Sequence, residues 1–504
     1  MRLFVFAVGG TGSRVLKSLI MLLAAGVRPK DKDGNSLKEV EIVPIVVDPH
    51  KANDDLKRTE DLLKWYRDIR QSVYGNDHAE RGFFSVKIST LKEIMKNTST
   101  SLADTFLFNL GDVETKKFRD FIHFNSLTDE NHALCSSLFS EDNLETKMNI
   151  GFVGSPNIGS VALNQFKDSA EFKGFADIFK EENRVFIISS IFGGTGAAGF
   201  PIIVKNIRDA KDSSAVVGNK GTIRNAKIGA LTVLPYFDIE TDTDSPISIT
   251  DFIVKTQSAL YYYDKSLTGD NSLNACYYLG DELKSDPYKN DPGNNGQKNK
   301  AHIIETIGAL SIVDFMSISD DKLATEEGKA TTPLFREYGL ANGAETINLM
   351  DLGKSTRRLI NKEMVKFHLF RLFIKNEFEN RIGQGFTQDA PEIKKGFLSA
   401  SFYRTLSENF FVQYDIWLKE MADNRRHFVP FKLEENDIAK CINGIEAKKS
   451  FLKGAIDYMD IFGGMTTKSK KKDAYSDSQV PFKLFDLFEQ VVDEIIDEKY
   501  NSLT

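Results

Sequence analysis

The residues with the clearest chemical potential lie in 185–201, VFIISSIFGGTGAAGFP, where an apolar run meets Gly193-Gly194-Thr195-Gly196. Residues 185–188 read as a buried parallel strand, because both faces are apolar and turn residues bound the run. Glycines let the backbone approach a ligand and take conformations that a Cβ forbids. The expected helix runs to about residue 210, with Pro201 in its first turn. Its start offers unpaired N–H groups and a positive dipole end, which together suit an anion. The competing reading is a structural glycine turn in an α/β protein. A second loop of the same kind, Gly9-Gly10-Thr11-Gly12, follows an apolar stretch at 3–8. A third, Gly154-Ser155-Pro156-Asn157-Ile158-Gly159, follows a strand expected at 149–153 and opens a helix near 161–166.

Such loops need a sheet to position them. A strand at 3–8, a glycine loop, a helix over 13–25 and a strand at 40–47 ending in Asp48 form the first half of a nucleotide-binding α/β sheet. A Rossmann dehydrogenase or an adenylating fold of the ubiquitin-activating type fits this much equally well. Neither explains a second glycine–threonine loop far along the chain. Residues 54–147 read as helices and loops, with helical spacing at 62–73 and 90–95, a short strand at 83–88 and no catalytic constellation. Further strands are expected at 227–234, running into Pro235-Tyr236-Phe237 and an acidic loop at 238–244, and at 273–279. Residues 299–316, NKAHIIETIGALSIVDFM, read as an apolar helix. Beyond 352 the pattern is helical, with amphipathic stretches at 355–379, 402–421 and 482–499 whose spacing signifies core. Residues 466–477 read as a solvated loop.

Composition bounds the possibilities. A chain of 504 residues accommodates two or three domains, and 41% hydrophobic with 27% charged residues is ordinary globular usage. A net charge of −7 argues against general nucleic-acid affinity. Cys135, Cys276 and Cys441 are far apart and odd in number, giving neither a disulfide framework nor a metal spacing, so a reducing cytoplasm is expected. The seven histidines show no metal-ligand spacing. The apolar N-terminal stretch is interrupted by Gly9–Gly12 and contains Arg14 and Lys17, so it falls short of the ~20 apolar residues of a membrane span and lacks a cleavage site.

Taken in order, each after a strand, four loops resemble those of the tubulin/FtsZ superfamily. Val8-Gly9-Gly10-Thr11-Gly12-Ser13-Arg14-Val15 resembles its opening glycine loop, and Pro156 and Gly159 keep the Pro-x-x-Gly spacing of its phosphate loop. Gly193-Gly194-Thr195-Gly196-Ala197-Ala198 resembles the GGTG[SA]G signature, and residues 231–237, ending Leu-Pro-Tyr-Phe, resemble the strand and loop before the ribose site. The likeness spans roughly residues 1–315. It implies an α/β fold: a Rossmann-like parallel sheet in a nucleotide-binding domain (1–298), a central helix (299–317) and a second, mostly helical domain (318–504). It also implies GTP or GDP, with or without Mg²⁺, across the carboxyl edge of the sheet. Around the phosphates it places Gly9, Gly10, Thr11, Gly12, Ser13, Arg14, Gly154, Ser155, Pro156, Gly193, Gly194, Thr195, Gly196 and Ala197. Thr195 and Ser13 or Thr11 are candidate hydroxyl donors, and Asp48 would hold a water or Mg²⁺ near the phosphates. Asn299 and His302 fall where the family contacts the base, although His302 reads as readily as a packed core residue.

The departures are informative. Ala198 replaces the signature's last glycine, and Arg14 replaces the asparagine that reads guanine, which leaves guanine against adenine open. Asn348-Leu349-Met350-Asp351 faintly resembles the family's carboxylate loop, with Met350 where Asp is expected; Asp320 and Asp321 are better placed but lack context, so no catalytic residue is assigned. The helical C-terminal third is nearer to divergent bacterial tubulin-like proteins than to FtsZ. The resemblance therefore implies a protein that assembles head to tail into nucleotide-dependent filaments, with a slow or assembly-dependent GTPase. The alternative is a nucleotide-binding switch or scaffold that does not polymerise, and a dinucleotide enzyme is a third reading. A partner adaptor would meet the acidic C-terminal helix, and a membrane would be reached only through a partner.

Overall fold

Seven short runs rich in Val, Ile and Phe build one parallel sheet in the computed structural model. The structure describes all residues except 51–52, 96–101, 149–151, 153–154, 211–219, 238–248, 282–298, 338–343, 425, 449–454, 471–474, 476, 501–502 and 504. The strands are β1 (Arg2–Val8), β2 (Glu41–Val47), β3 (Lys87–Ile88), β4 (Arg184–Ser190), β5 (Lys227–Val233), β6 (Ala275–Leu279) and β7 (Leu334–Glu337). Their order is β3-β2-β1-β4-β5-β6-β7, and every pairing is parallel. Parallel neighbours need crossover helices on the sheet faces, so the inner strands are apolar on both sides. Pro44 has no N–H to give the ladder, and it lies where β3, paired only with Glu41 and Ile42, has already ended.

The chain winds outward in both directions from β1, so the topology reverses between β1 and β4. From β1 the chain passes directly into α1 (Gly9–Ala24), and from β4 through residues 191–193 into α2 (Gly194–Arg208). Pro201 is the eighth residue of α2, well inside it and not in its first turn. A proline there removes the hydrogen bond to the carbonyl four residues earlier. That carbonyl, of Ala197, instead accepts the Tyr263 hydroxyl at 3.1 Å, and Tyr263 belongs to a helix, Ile249–Tyr263, that the sequence pattern did not reveal.

The central helix, α3 (Ile303–Ser317), is buried on nearly all sides. A Cβ on its Gly308 would meet Leu231 Cδ2 at 2.8 Å and Val15 at 3.4 Å, so only glycine lets it lie this close to α1 and β5. Its C-terminal carbonyls are gathered by Arg184, which donates to Phe315 O at 2.6 Å and Ile318 O at 2.7 Å and pairs with Asp320 at 2.8 Å.

The C-terminal part is largely helical, as its periodicity implies. Lys354–Asn376 and Val480–Lys499 are long helices, and the expected helix at 402–421 is interrupted by a π turn, Thr405–Phe410, before it resumes as Phe411–Ala422. Phenylalanines join these helices to the first half of the chain: the Phe83 ring lies 5.3 Å from Phe367, 5.2 Å from Phe370 and 6.0 Å from Phe485. Further expectations change, and of the strand expected at 83–88 only Lys87–Ile88 forms. Helix Pro156–Leu163 begins earlier than 161, because Pro156 suits a first helical position. Residues 466–469 continue helix Tyr458–Ser469 instead of opening a loop. The four-residue edge strand β7 has too little alternation to be seen in the sequence. The strand expected at 149–153, apart from Phe152, and the loop at 238–244 lie outside the described residues. Among the described residues, no helix is long and apolar enough to cross a membrane.

Candidate functional site

β1 and β4 are hydrogen-bonded neighbours, so the loops that leave their carboxyl ends emerge side by side at the switch point. α1 begins at Gly9 (φ +70°) and has no side-chain cap; α2 begins after Gly193 and has none either. The first N–H groups of each helix therefore lack a partner from helix or cap side chain. A Cβ on Gly9 would stand 3.4 Å from Thr195 Cβ and 3.5 Å from the Gly196 nitrogen, so the two glycine loops touch. The helix Pro156–Leu163, also without a side-chain cap at Ser155, packs against α2: a Cβ on Gly159 would meet Ala198 Cβ at 2.8 Å and Gly194 O at 3.2 Å. That approach needs small residues at both positions, and Ala198 supplies one of them. Three helix starts thus share one place. Gly154 lies outside the described residues.

The individual candidates separate into lining and framework. Gly10 and Gly193 are partly exposed; Gly12 is buried, with its missing Cβ directed at the Ala7 carbonyl carbon, 2.6 Å away. Thr11 and Thr195 are nearly buried at the loops. Ser13 is fully buried on the α1 side that faces Thr59, whose hydroxyl donates to Ser13 O at 3.1 Å. Asp48, at the end of β2, accepts the His50 N–H at 2.9 Å and so shapes the turn after its strand. The Asn299 N–H donates to Asp55 at 3.2 Å, and its carbonyl accepts Arg58 at 3.1 Å.

Arg14 is the electrostatic centre of the cleft. Its Nε donates to Glu305 Oε1 at 2.7 Å, its Nη2 to the Tyr236 hydroxyl at 2.8 Å and to Thr11 Oγ1 at 3.3 Å, and Nη1 lies 3.7 Å from Asp55. The guanidinium also sits 5.7 Å from the centre of the Phe237 ring. Burial works against the charge of Arg14, but Tyr236, Glu305 and Asp55 outweigh it and hold its pKa well above the usual arginine value. Burial, reinforced by Glu305, pushes the Tyr236 phenol well up.

His302 caps α3: its Nδ1 accepts the Ile304 N–H at 3.1 Å, while Glu305 Oε2 accepts the His302 N–H at 3.3 Å. Burial lowers the imidazole's pKa, which suits a neutral ring with its acceptor nitrogen turned to the helix. Its ring stands edge-on to Tyr236 at 5.1 Å. Asp55, Tyr236 and Glu305 were not singled out from the sequence. Glu305 had a visible signal, a Glu three residues after a polar residue that opens an apolar run.

The fold and this edge define an α/β protein with a convergent glycine-loop cleft at the switch point of a parallel sheet. No protein-family model and no curated protein matches the sequence. Among solved structures, the chain is similar to CetZ2 from Haloferax volcanii, titled a GTPgS-bound protofilament, at 13% identity over 63% of this chain and 58% of that one, with a TM-score of 0.28. It is also similar to CetZ from Methanosaeta thermophila strain DSM 6194, at 11% identity over 63% and 51% of the two chains and a TM-score of 0.25. The chain spans little more than half the length of the solved structures it matches.

Proposed function

We propose that this chain is a tubulin/FtsZ-like guanine-nucleotide-binding protein that assembles head to tail into nucleotide-dependent filaments. The observation that carries the reading is the contact between the two glycine loops, Gly9 against Thr195 and Gly196, at the carboxyl ends of adjacent parallel strands. Two uncapped helix starts in contact offer backbone N–H groups and aligned dipoles to one phosphate chain. Gly9, Gly10, Gly12, Gly193, Gly194, Gly196 and Ala197 would give the backbone, Thr11 and Thr195 the hydroxyls, and Asp48 a water or Mg²⁺ ligand. Pro156, Ser155 and Gly154 would complete the phosphate side. Asn299, His302 and Arg14 would meet the base. The setting would be cytoplasmic, with any adaptor on the exposed acidic face of helix Val480–Lys499, whose apolar face packs within this chain.

A second reading, a switch that binds nucleotide without polymerising, is favoured by Met350, which stands where the family's carboxylate loop needs Asp, and by the helical C-terminal part. Titration calorimetry with GTP, ATP and NAD, followed by sedimentation with GTP and a nonhydrolysable analogue, separates the readings. Saturable GTP binding with pelleting supports assembly, and binding without pelleting supports the switch. NAD binding with neither triphosphate bound refutes both.

A further inference from the structure

A separate cavity, sharing no residue with the glycine loops, opens between the end of helix Asp54–Tyr74, residues 75–82, and the start of helix Val480–Lys499. Its volume is about 690 Å³, within the range of small-molecule sites. Glu489 lines it, and although that residue is only 8% exposed it is incompletely satisfied. Oε1 accepts the Phe83 N–H at 2.7 Å; among the described residues no donor reaches Oε2. The ammonium of Lys366 acts on this carboxyl through space but is itself bonded to Glu363 at 2.6 Å and Asp493 at 3.2 Å. Gly82 keeps the approach to the carboxylate open: at φ +102°, its missing Cβ would lie 2.8 Å from both Glu489 Oε1 and the Tyr74 hydroxyl. The wall beside it is apolar, with the Tyr74 and Phe482 rings edge to face at 6.1 Å.

A carboxylate that turns an oxygen free of protein donors towards a cavity can accept a donor or a positive charge there. The rim reinforces this, since Asp77 and Asp477 are exposed there, whereas its cation, Arg81, lies 3.8 Å from Asp486. Among the described residues, no three His, Cys, Asp or Glu groups are placed to hold a metal ion, and the aromatic wall beside the carboxylate suits an organic stem. We propose that this cavity binds a small organic cation, a primary amine or guanidine on a short apolar stem, whose charged end pairs with Glu489 while the stem lies against Tyr74 and Phe482.

The test is titration calorimetry on the full chain at pH 8, above the titration of Glu489, with phenethylamine, agmatine and spermidine, and with 2-phenylethanol as the neutral counterpart of the first. Saturable binding of at least one cation, with phenethylamine at least tenfold tighter than 2-phenylethanol, is expected. Glu489→Gln keeps an acceptor for the Phe83 N–H and removes the charge, so it should weaken cation binding tenfold or more; Glu80→Gln, which alters a carboxylate already paired with Lys38, should not. Equal affinity for amine and alcohol, unchanged affinity in Glu489→Gln, or no saturable binding of any of the three cations overturns the proposal. The amine–alcohol comparison uses the unmodified protein and stands even if the variant fails to fold.

Discussion

Glu305 Oε1 accepts two hydrogen bonds at once, from Arg14 Nε at 2.7 Å and from the Tyr236 hydroxyl at 2.8 Å. Its other oxygen accepts the His302 N–H that opens the central helix. One buried carboxylate therefore ties the first glycine loop, the loop after β5 and the start of α3 together.

Removing one partner of that cluster should be costly. Arg14→Met leaves Glu305 as an uncompensated buried charge, and a loss of about 3–5 kcal/mol is expected in urea unfolding. The double variant Arg14→Met/Glu305→Gln should lose less than the single one, because the stranded charge is gone. A single-variant cost near that of a surface pair, under about 1 kcal/mol, would show that the pair is not desolvated.

Neighbouring glycines of the first loop should respond in opposite ways. A Cβ at Gly12 meets backbone 2.6 Å away, so Gly12→Ala should destabilise the fold by more than the ~1 kcal/mol of an average substitution. At Gly10 the nearest atoms are Arg14 Nη1 at 3.7 Å and Asn53 Nδ2 at 3.9 Å, an ordinary contact distance. Gly10→Ala should keep the wild-type melting temperature while weakening GTP at least tenfold in calorimetry. A folded Gly10→Ala protein with unchanged affinity would move the phosphates away from this loop.

Glu489 gives a pH dependence whose sign is defined. Burial pushes its carboxyl from 4.5 up to about 7; Lys366 opposes this, and Glu363 and Asp493 add to it. Between those pH values the folded state holds a proton that the unfolded chain has released, so stability falls as pH rises from 4.5 to about 7 and is level above. At ~1.4 kcal/mol for each tenfold in proton affinity, the loss amounts to about 3 kcal/mol. Lys366, Glu363 and Asp493 surround the position in wild type and in Glu489→Gln alike. The stability difference between the two proteins, measured from pH 4.5 to 8, should thus grow in favour of the variant. A difference independent of pH would contradict this account.

Glu420 should govern how the C-terminal helices dock on the first half. It pairs with Arg58 at 2.7 Å and Lys17 at 3.5 Å and accepts the Ala301 N–H at 3.0 Å. Glu420→Ala strands Lys17 and leaves Arg58 with Asp55 as its remaining carboxylate, and we expect a loss of about 3 kcal/mol with faster amide exchange in Phe411–Ala422. Unchanged exchange there would place the docking energy in the phenylalanine contacts alone.

The local grammar of this protein is written in its sequence. Apolar runs bounded by glycine loops announce parallel strands followed by helices, and β1, β2, β4 and β5 fall within a residue or two of the expected positions. Period and turn chemistry are short-range properties, so they survive without tertiary context. Other features did not. The edge strand β7 exists only because β6 offers it a ladder. Helix Ile249–Tyr263 holds its place through Tyr263 at the Ala197 carbonyl that Pro201 vacates, 66 residues earlier in sequence. The partners of Arg14 come from residues 55, 236 and 305, and no spacing rule joins positions so far apart. Sequence determined most of the strands, turns and helices; only the closed fold decided which of their side chains meet, because burial and charge pairing depend on distance in space and not along the chain.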